Sequence, residues 1–297
     1  WTYVLDNDSA KVQALNAGQT VTDTITVTVT DNNGAFATQD VVITIKGSDN
    51  GATITPAVPG ADKGTVTEDT QLTAGGKLDI VDPDVGEAVF KEQPGTNGSY
   101  GKFTVDANGN WTFTLNNNHA AVQALGVGET LTEQFVVSSA DGTTHTVNIV
   151  VNGTNDVPEV TGPVVGVVTE GGTTKATGEL LATDVDVNDQ LTWKVTGSAT
   201  GAYGSISIDQ NGKWTYTLDN DKAQALTSAD KPVESFTVEV SDGHGGTVTK
   251  TIEVTVNGSD NGATITPAVP GSDKGTVTED TQLTAGGKLD VTDPAAG

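Results

Sequence analysis

Residues 203–218 have the sequence YGSISIDQNGKWTYTL, which predicts two β-strands joined by a tight turn. Apolar residues alternate with polar ones on both sides of the turn, at Ile206, Ile208, Trp214, Tyr216 and Leu218. Alternation with a period of two places such residues on one face of a sheet. The turn contains Asn211 and Gly212, and an Asn-Gly pair supplies the positive φ angles of a tight hairpin.

The same hairpin occurs at two other places in the chain. Residues 100–115 have the sequence YGKFTVDANGNWTFTL, and residues 1–5, WTYVL, correspond to its second strand. The tryptophans that begin these second strands are Trp1, Trp111 and Trp214. A period of roughly 100 residues suits a complete small domain and exceeds the 20–50 residues of a solenoid repeat.

The repeats predict an all-β chain of tandem antiparallel β-sandwich domains. No long Gly/Ser linker separates the domains, so we expect an elongated array with stiff joints. The predicted pieces are the C-terminal part of a truncated repeat, two complete repeats and the N-terminal part of another, at residues 1–50, 51–155, 156–261 and 262–297. Residues 47–79 and 258–290 differ only at Ala61 and Ser272, which indicates duplication over two domains.

The composition excludes several classes of partner. The net charge is −25, and the chain has no Arg, Cys or Met. Without basic patches, we expect neither nucleic-acid binding nor direct contact with an anionic membrane. No apolar run approaches the roughly 20 residues of a membrane span. The chain begins with Trp1 and shows no signal peptide, so we expect it to be a piece of a longer protein.

Several motifs together resemble the VCBS repeat of giant bacterial surface adhesins. They are WTYTLDN at 214–220, AQAL at 223–226, ESFTVEVSDGHGGT at 234–247 and IEVTVNGSDN at 252–261. The sequence NDVP at 155–158 is similar to the junction that such repeats share with cadherin-like domains. The resemblance covers the whole chain. It implies tandem β-sandwich domains of immunoglobulin or cadherin type, in a secreted, cell-surface array. Such arrays form the extension region of RTX-type adhesins, with calcium at domain junctions in many relatives.

Acidic residues recur at the predicted junctions, where they could bind Ca²⁺, which takes six to eight oxygen ligands. At the first junction the candidates are Asp31, Asp49, Asn50, Asp82 and Asp84. At the second they are Glu68, Asp141, Asn155, Asp156, Asp184 and Asp186. At the third they are Glu170, Asp219, Asp242, Asp260, Asn261 and Asp293. The last set departs from the pattern, because Ala295 stands where the other sets have a second Asp.

The alternative interpretation is that these residues only form turns, because Asp, Asn and Gly cap backbone amides and tolerate left-handed geometry.

Trp111 and Trp214 are expected in the core of the hairpin and not on a glycan-stacking surface, since they alternate with Thr. The sequence matches no catalytic triad, P-loop or zinc motif, so we expect no enzyme.

Two functions follow from these patterns. The first is a structural spacer, in which neighbouring repeats stiffened by Ca²⁺ hold a binding domain of a large adhesin away from the cell, supporting adhesion or biofilm formation. The alternative is that the repeats themselves bind glycan, another surface or a neighbouring adhesin copy. A third, remote possibility is a repeat appended to a secreted hydrolase.

Overall fold

A computed structural model describes residues 1–294 of the protein, which forms two compact units, Trp1–Thr154 and Asn155–Gly297. Both units consist mainly of β-strands, as the alternating patterns predict. Short helical turns occur at α1 (Ala10–Gln13), α2 (Ala120–Gln123) and α3 (Asn220–Ala223). Within residues 1–294, no helix has the length and apolar character needed to cross a membrane.

The first unit begins with a two-stranded hairpin. Strands β1 (Thr20–Thr30) and β2 (Phe36–Lys46) pair antiparallel along their whole length. The apolar side of β1 is exposed, at Val21, Ile25, Val27 and Val29. Residues 1–5, predicted as a strand, form none, and Trp1 is 85% exposed. No partner strand lies beside them, and backbone pairing is what defines a strand.

The rest of the first unit is a β-sandwich of two sheets. Its strands are β3 (Thr53–Pro56), β4 (Lys63–Thr67), β5 (Thr73–Val81), β6 (Gln93–Asn97), β7 (Gly101–Val105), β8 (Asn110–Leu115), β9 (Thr130–Ser138) and β10 (Thr144–Asn152). One sheet has the order β3-β5-β8-β7-β6, and the other has the order β4-β10-β9. Between them, the inward residues form one hydrophobic core.

The second unit repeats this plan. Its strands are β11 (Glu159–Thr161), β12 (Val165–Thr169), β13 (Lys175–Glu179), β14 (Leu181–Thr183), β15 (Thr192–Thr196), β16 (Gly204–Ile208), β17 (Lys213–Leu218), β18 (Val233–Ser241) and β19 (Thr247–Asn257). The main sheets have the orders β12-β19-β18-β15 and β13-β17-β16, and β11 pairs with β14. A final pair consists of β20 (Thr264–Pro267) and β21 (Leu289–Thr292).

Each sandwich contains one parallel strand pair, which the sequence patterns did not predict. In the first unit β4 runs parallel to β10, and in the second unit β12 runs parallel to β19. The chain comes into each sandwich at one pole and leaves it at the other. The strand near its start and its last strand therefore point in the same direction, and they lie side by side.

The turn of the repeated hairpin is longer than the Asn-Gly pair predicted. Asp209 N–H donates to the carbonyl oxygen of Lys213, which leaves three residues in the loop. Of these, only Gly212 has a positive φ, at 80°. This geometry is that of a three-residue hairpin with a left-handed glycine. The Asp209 carboxylate closes the loop by accepting from the backbone N–H groups of Asn211 and Lys213, at 2.9 and 3.0 Å.

A tryptophan is buried in the core of each sandwich, as the period-two pattern predicted, and its ring packs against a glycine. In the second unit Trp214 is fully buried, and its Nε1 donates to the carbonyl oxygen of Pro163 at 3.0 Å. A Cβ atom at Gly178 would lie only 2.5 Å from this indole. In the first unit Trp111 and Gly76 make the corresponding contact. The glycine therefore allows the ring to lie directly over the backbone of the neighbouring strand.

A buried tyrosine–carboxylate pair stabilises the second sandwich. The Tyr216 hydroxyl donates a short hydrogen bond to Glu234, which also accepts from the backbone N–H of Tyr203 at 3.0 Å. Burial and the Glu234 carboxylate raise the pKa of Tyr216 far above its ordinary value. In the first sandwich Phe113 takes the place of the tyrosine, and Glu133 accepts from backbone N–H groups alone.

We expect Tyr216→Phe to destabilise the second sandwich by about 2 kcal/mol, because the buried Glu234 loses one of its two hydrogen-bond donors. This difference from the wild type should shrink above pH 10. The unfolded tyrosine ionises near pH 10 while the folded one keeps its proton, so the wild type loses stability there and the Phe variant does not. Urea unfolding at pH 8 and pH 11 measures both effects. A difference that stays constant across this range would contradict the assignment.

Candidate functional site

The first acidic cluster lies where residues 47–51, the first linker, meet the loop after β5. It consists of Asp49, Asp82, Asp84 and Glu87. One carboxylate oxygen each of Asp49, Asp84 and Glu87 lies within 4.8 Å of the other two. Asp84 is only 1% exposed, although its side chain is polar and ionisable. The cluster thus places several carboxylates at one point between a linker and the domain that follows it.

Amide groups hold the first acidic cluster together. Asn50 donates to both oxygens of Asp84, from its backbone N–H at 2.7 Å and from its side chain at 3.1 Å. Asn16, which precedes the linker, donates to Glu87 Oε1 at 2.6 Å. Asn16 Oδ1 and Asp82 Oδ2 are buried and accept no hydrogen bond. Residues from both sides of the linker therefore contribute oxygen atoms.

The second acidic cluster consists of Asp184, Asp186 and Asp189, in the loop after β14, together with Asn155. The three carboxylates again approach one another within 4.8 Å. Asp186 is 5% exposed, and its Oδ2 accepts from the backbone N–H of Asp156 at 2.9 Å. This contact corresponds to the one between Asn50 and Asp84 in the first cluster. The two loops therefore bind their linkers in the same way.

Four oxygen atoms of the second acidic cluster are buried and accept no hydrogen bond. They are Asp184 Oδ2, Asp186 Oδ1, Asp189 Oδ2 and Asn155 Oδ1. Buried acceptors are almost always paired in folded proteins, and an unpaired one costs free energy. A carboxylate is costlier still, because it carries charge. Four such atoms in one cluster therefore leave it with negative charge that nearby donors do not balance, and with oxygen atoms of the kind that bind a cation.

One carboxyl group in each acidic cluster has a raised pKa. Burial, together with the nearby carboxylates of Asp49, Asp84 and Asp82, raises the pKa of Glu87, although its hydrogen bond from Asn16 lowers it. Burial and the carboxylates of Asp189, Asp184 and Asp242 likewise raise the pKa of Asp186, in spite of the Asp156 amide. The charged forms of Glu87 and Asp186 are therefore less favourable in these clusters than in water.

The third linker, residues 258–262, has a different arrangement. The buried carboxylate of Glu170 accepts from Asn261 Nδ2 at 2.7 Å, from Gln224 Nε2 at 2.8 Å and from the backbone N–H of Ser259 at 3.1 Å. Asp260 accepts from both the backbone N–H and the hydroxyl of Ser228, at 3.0 and 2.8 Å. Both carboxylates therefore have close donors.

Two predicted ligands lie at the wrong pole. We predicted Asp141 beside the second linker, but its carboxylate accepts from the backbone N–H of Ala52, directly after the first linker. We predicted Asp242 beside the third linker, but it accepts from Asn155 at 2.9 Å. Each lies in the turn between the last two strands. Since the last strand must end at the exit pole, that turn lies at the opposite pole.

The other predicted residues lie outside the two clusters. Asp31 caps the turn between β1 and β2, and β2 puts roughly 35 Å between it and the first linker at about 3.3 Å per residue. Asp219 pairs with Lys222 at 3.5 Å. Glu68 is fully buried and accepts from the backbone N–H of Thr154 at 2.8 Å. Asp293 follows β21, and Ala295 lies outside the described residues.

Three residues of the clusters were missed by the sequence analysis. Glu87 and Asp189 each follow the second acid of an Asp-x-Asp pair by three residues, and this shared spacing could have revealed them. Asn16 gave no signal, because the corresponding residues are Gly126 and Thr227. Its role depends on a contact over more than 60 positions in sequence.

The donor set suits calcium better than other common metals. Carboxylate and amide oxygens are the ligands that Ca²⁺ prefers, whereas zinc sites are built mainly from Cys and His. His244 Nδ1 contacts Asp189 at 2.8 Å, but the remaining groups in the second cluster offer oxygen. The carboxylates of Asp49, Asp84 and Glu87 would hold such an ion in the first cluster, beside the buried Asp82 Oδ2. In the second cluster, Asp184, Asp186 and Asp189 would hold one.

A family model described as the bacterial cadherin-like domain matches the chain twice, at residues 55–153 and 155–258. A search of curated proteins finds no match.

Similar solved structures include three cadherin extracellular segments. The protocadherin gammaB4 extracellular domain is 16% identical with a TM-score of 0.48, and the match covers 99% of this chain and 45% of that one. The protocadherin gammaB7 EC3-6 cis-dimer is 15% identical with a TM-score of 0.46, covering 99% and 71%. Mouse cadherin-23 EC22-24 is 18% identical with a TM-score of 0.44, covering 86% and 77%.

Proposed function

Because the chain belongs to the bacterial cadherin-like domain family, we propose that it is a spacer segment of a large bacterial surface adhesin. In this proposal residues 51–155 and 156–261 are complete domains, and residues 1–50 and 262–297 belong to the domains on either side. The two family matches support this division. The array would be secreted and would carry a binding domain away from the cell, in support of adhesion or biofilm formation.

Calcium would stiffen the linkers of this spacer. The observation that carries this proposal is the set of four buried, unpaired oxygen atoms in the second acidic cluster. Turn formation alone would not require carboxylate oxygens to point at one another without donors. By contrast, the carboxylates of Asp31, Asp141 and Asp209 accept from backbone N–H groups of their own turns, which supports turn formation as their role.

The carboxylates of the linker and of the following loop would act together, by binding the same cation. In the first acidic cluster Asp49 belongs to the linker, while Asp84 and Glu87 belong to the following domain. Without a cation, these carboxylates repel one another, which favours separation of the linker from the loop. A bound Ca²⁺ supplies the positive charge that both parts require. The linker and the loop are then held to one ion.

Small-angle X-ray scattering of the chain, with Ca²⁺ and with excess chelator, tests this proposal. We expect calcium to give a larger radius of gyration and a longer maximum dimension, because stiff linkers prevent the domains from folding back. Mg²⁺ at the same concentration is the control, since it binds poorly to crowded carboxylates that displace its waters. Identical profiles with calcium and chelator would sink the stiffening mechanism.

A second candidate function is direct binding of a glycan or a cell-surface ligand. A polar groove occurs at corresponding places in both sandwiches, beside Glu133 in the first and Glu234 in the second. Amides, hydroxyls and backbone groups line it, and these can bind sugars. A glycan array probed with the whole chain tests this function. Specific retention that Glu133→Gln with Glu234→Gln weakens would support binding by the repeats.

A further inference from the structure

The first and third linkers have the same sequence but different surroundings. Residues 47–51 and 258–262 both have the sequence GSDNG. Asp49 takes part in the first acidic cluster, close to Asp84 and Glu87. Asp260, its counterpart, is bound by Ser228 instead. The difference must therefore come from the residues that surround each linker.

The loop before the linker accounts for part of this difference. Ser228 corresponds to Ala17 in the first repeat, and Ala17 has no hydroxyl to offer. Ser228 donates two hydrogen bonds to Asp260, one to each carboxylate oxygen. These bonds hold the pKa of Asp260 below its ordinary value. A carboxylate with this much support gains less from a cation.

The residue before Ser228 also differs from its counterpart in the first repeat, and it makes its hydrogen bonds within its own loop. Asn16 reaches forward from its loop to Glu87 of the following domain, at 2.6 Å. Its counterpart Thr227 turns back to Asp230 of its own loop, to which its backbone N–H and hydroxyl donate at 2.8 and 2.7 Å. The loop before the third linker thus satisfies its polar groups locally.

Glu170, the buried acidic residue beside the third linker, also has hydrogen-bond donors close to it. Glu170 accepts from the side chains of Asn261 and Gln224. The residue that corresponds to Asn261 in the second linker is Asp156, which has no amide to donate. In the sequence after the third linker, Ala295 stands at the position that Asp84 and Asp186 occupy after the other two linkers. This set therefore has one carboxylate fewer.

We propose that the third linker binds no calcium under conditions in which the first two linkers do, and that Ser228 is the positioning residue that holds Asp260 away from a metal. This inference rests on the proposed calcium function. It makes the array uneven, with two linkers that would bind calcium and a third that would stay free of it under the same conditions.

Calcium content of the whole chain, measured by equilibrium dialysis and elemental analysis, tests where the ions bind. We expect Asp49→Asn with Asp84→Asn, and separately Asp184→Asn with Asp186→Asn, to lower the number of bound ions. Asp260→Asn with Glu170→Gln should leave that number unchanged. A lower number in this last variant would overturn the inference. Absence of bound calcium from the wild type would instead overturn the proposed function itself.

Introducing a serine at the corresponding position of the first repeat tests the role of Ser228. In Ala17→Ser the new hydroxyl can bind Asp49, and we expect calorimetry to show roughly tenfold weaker calcium binding at the first cluster, the ratio expected for one hydrogen bond to a charged group. Ala17→Val is the matched control, because it adds bulk without a hydroxyl and Val127 occupies this position in the next repeat. Equal losses in both variants, or no loss in Ala17→Ser, would overturn the role of the serine.

Discussion

Replacing Asp184 and Asp186 with asparagine is expected to abolish the stabilisation of residues 155–258 by calcium. If calcium binds the folded wild type alone, a 100-fold excess over Kd adds about 2.7 kcal/mol. For a domain of this size, that gain corresponds to a rise in Tm of roughly 10–20 °C. The double variant keeps the shape of the side chains but loses two of the carboxylates that approach within 4.8 Å. Differential scanning calorimetry with and without calcium measures the change.

In excess chelator, we do not expect the double variant to be less stable than the wild type. Without a cation, the charged form of Asp186 is unfavourable, since burial and the neighbouring carboxylates raise its pKa. The double variant should therefore have the same Tm as the wild type in chelator, or a higher one. Glu179→Gln with Glu253→Gln is the control, because both side chains are exposed on strands and the same charge is removed. If calcium still raises the Tm of the Asp184/Asp186 variant by the wild-type amount, the second acidic cluster is not its site.

The second large effect is expected from Trp214→Ala, which should destabilise the second sandwich by about 3–5 kcal/mol. The indole is fully buried, and its removal leaves a cavity above the backbone at Gly178. It also leaves the carbonyl oxygen of Pro163 without its donor. Hydrogen exchange followed by mass spectrometry resolves this loss, because amides of β16 to β19 should exchange several hundredfold faster or more.

The chain offers a matched control for this substitution. Trp1 occupies the corresponding place in the repeat, but 85% of it is exposed. Trp1→Ala should therefore change stability by less than about 0.5 kcal/mol, as is usual at exposed sites. The peptides of the first unit should show unchanged exchange in Trp214→Ala. Similar losses in the two tryptophan variants would contradict the view that burial, and not the residue type, sets the cost.

The sequence was sufficient to predict the strands that pack against a core. Trp111, Trp214 and their alternating neighbours are buried as expected, because period-two patterns reflect which face of a sheet meets the interior. The pattern at residues 1–5 is the same, yet no strand forms there. A strand depends on a partner as much as on its own residues. For this reason local patterns could not predict that outcome, nor the parallel pairing of β4 with β10.

The acidic clusters were predicted less completely than the core. Asp84 and Asp186 could be found, because the Asp-x-Asp spacing recurs before each hairpin. Asp141 and Asp242 were assigned to the wrong linkers because the pole at which a turn lies depends on strand direction. Asn16 could not be found, since only the folded chain brings it to Glu87.

The parallel pairs described above determine how each domain would carry a mechanical load. When the two ends of the chain are pulled apart, β4 and β10 are drawn in opposite directions along their length. The five residue pairs from Asn148 with Lys63 to Asn152 with Thr67 are then loaded together in shear. A strand pair that opened from one end would lose its hydrogen bonds one at a time under a smaller force. The topology itself therefore makes these domains resistant to extension, whether or not the linkers hold metal.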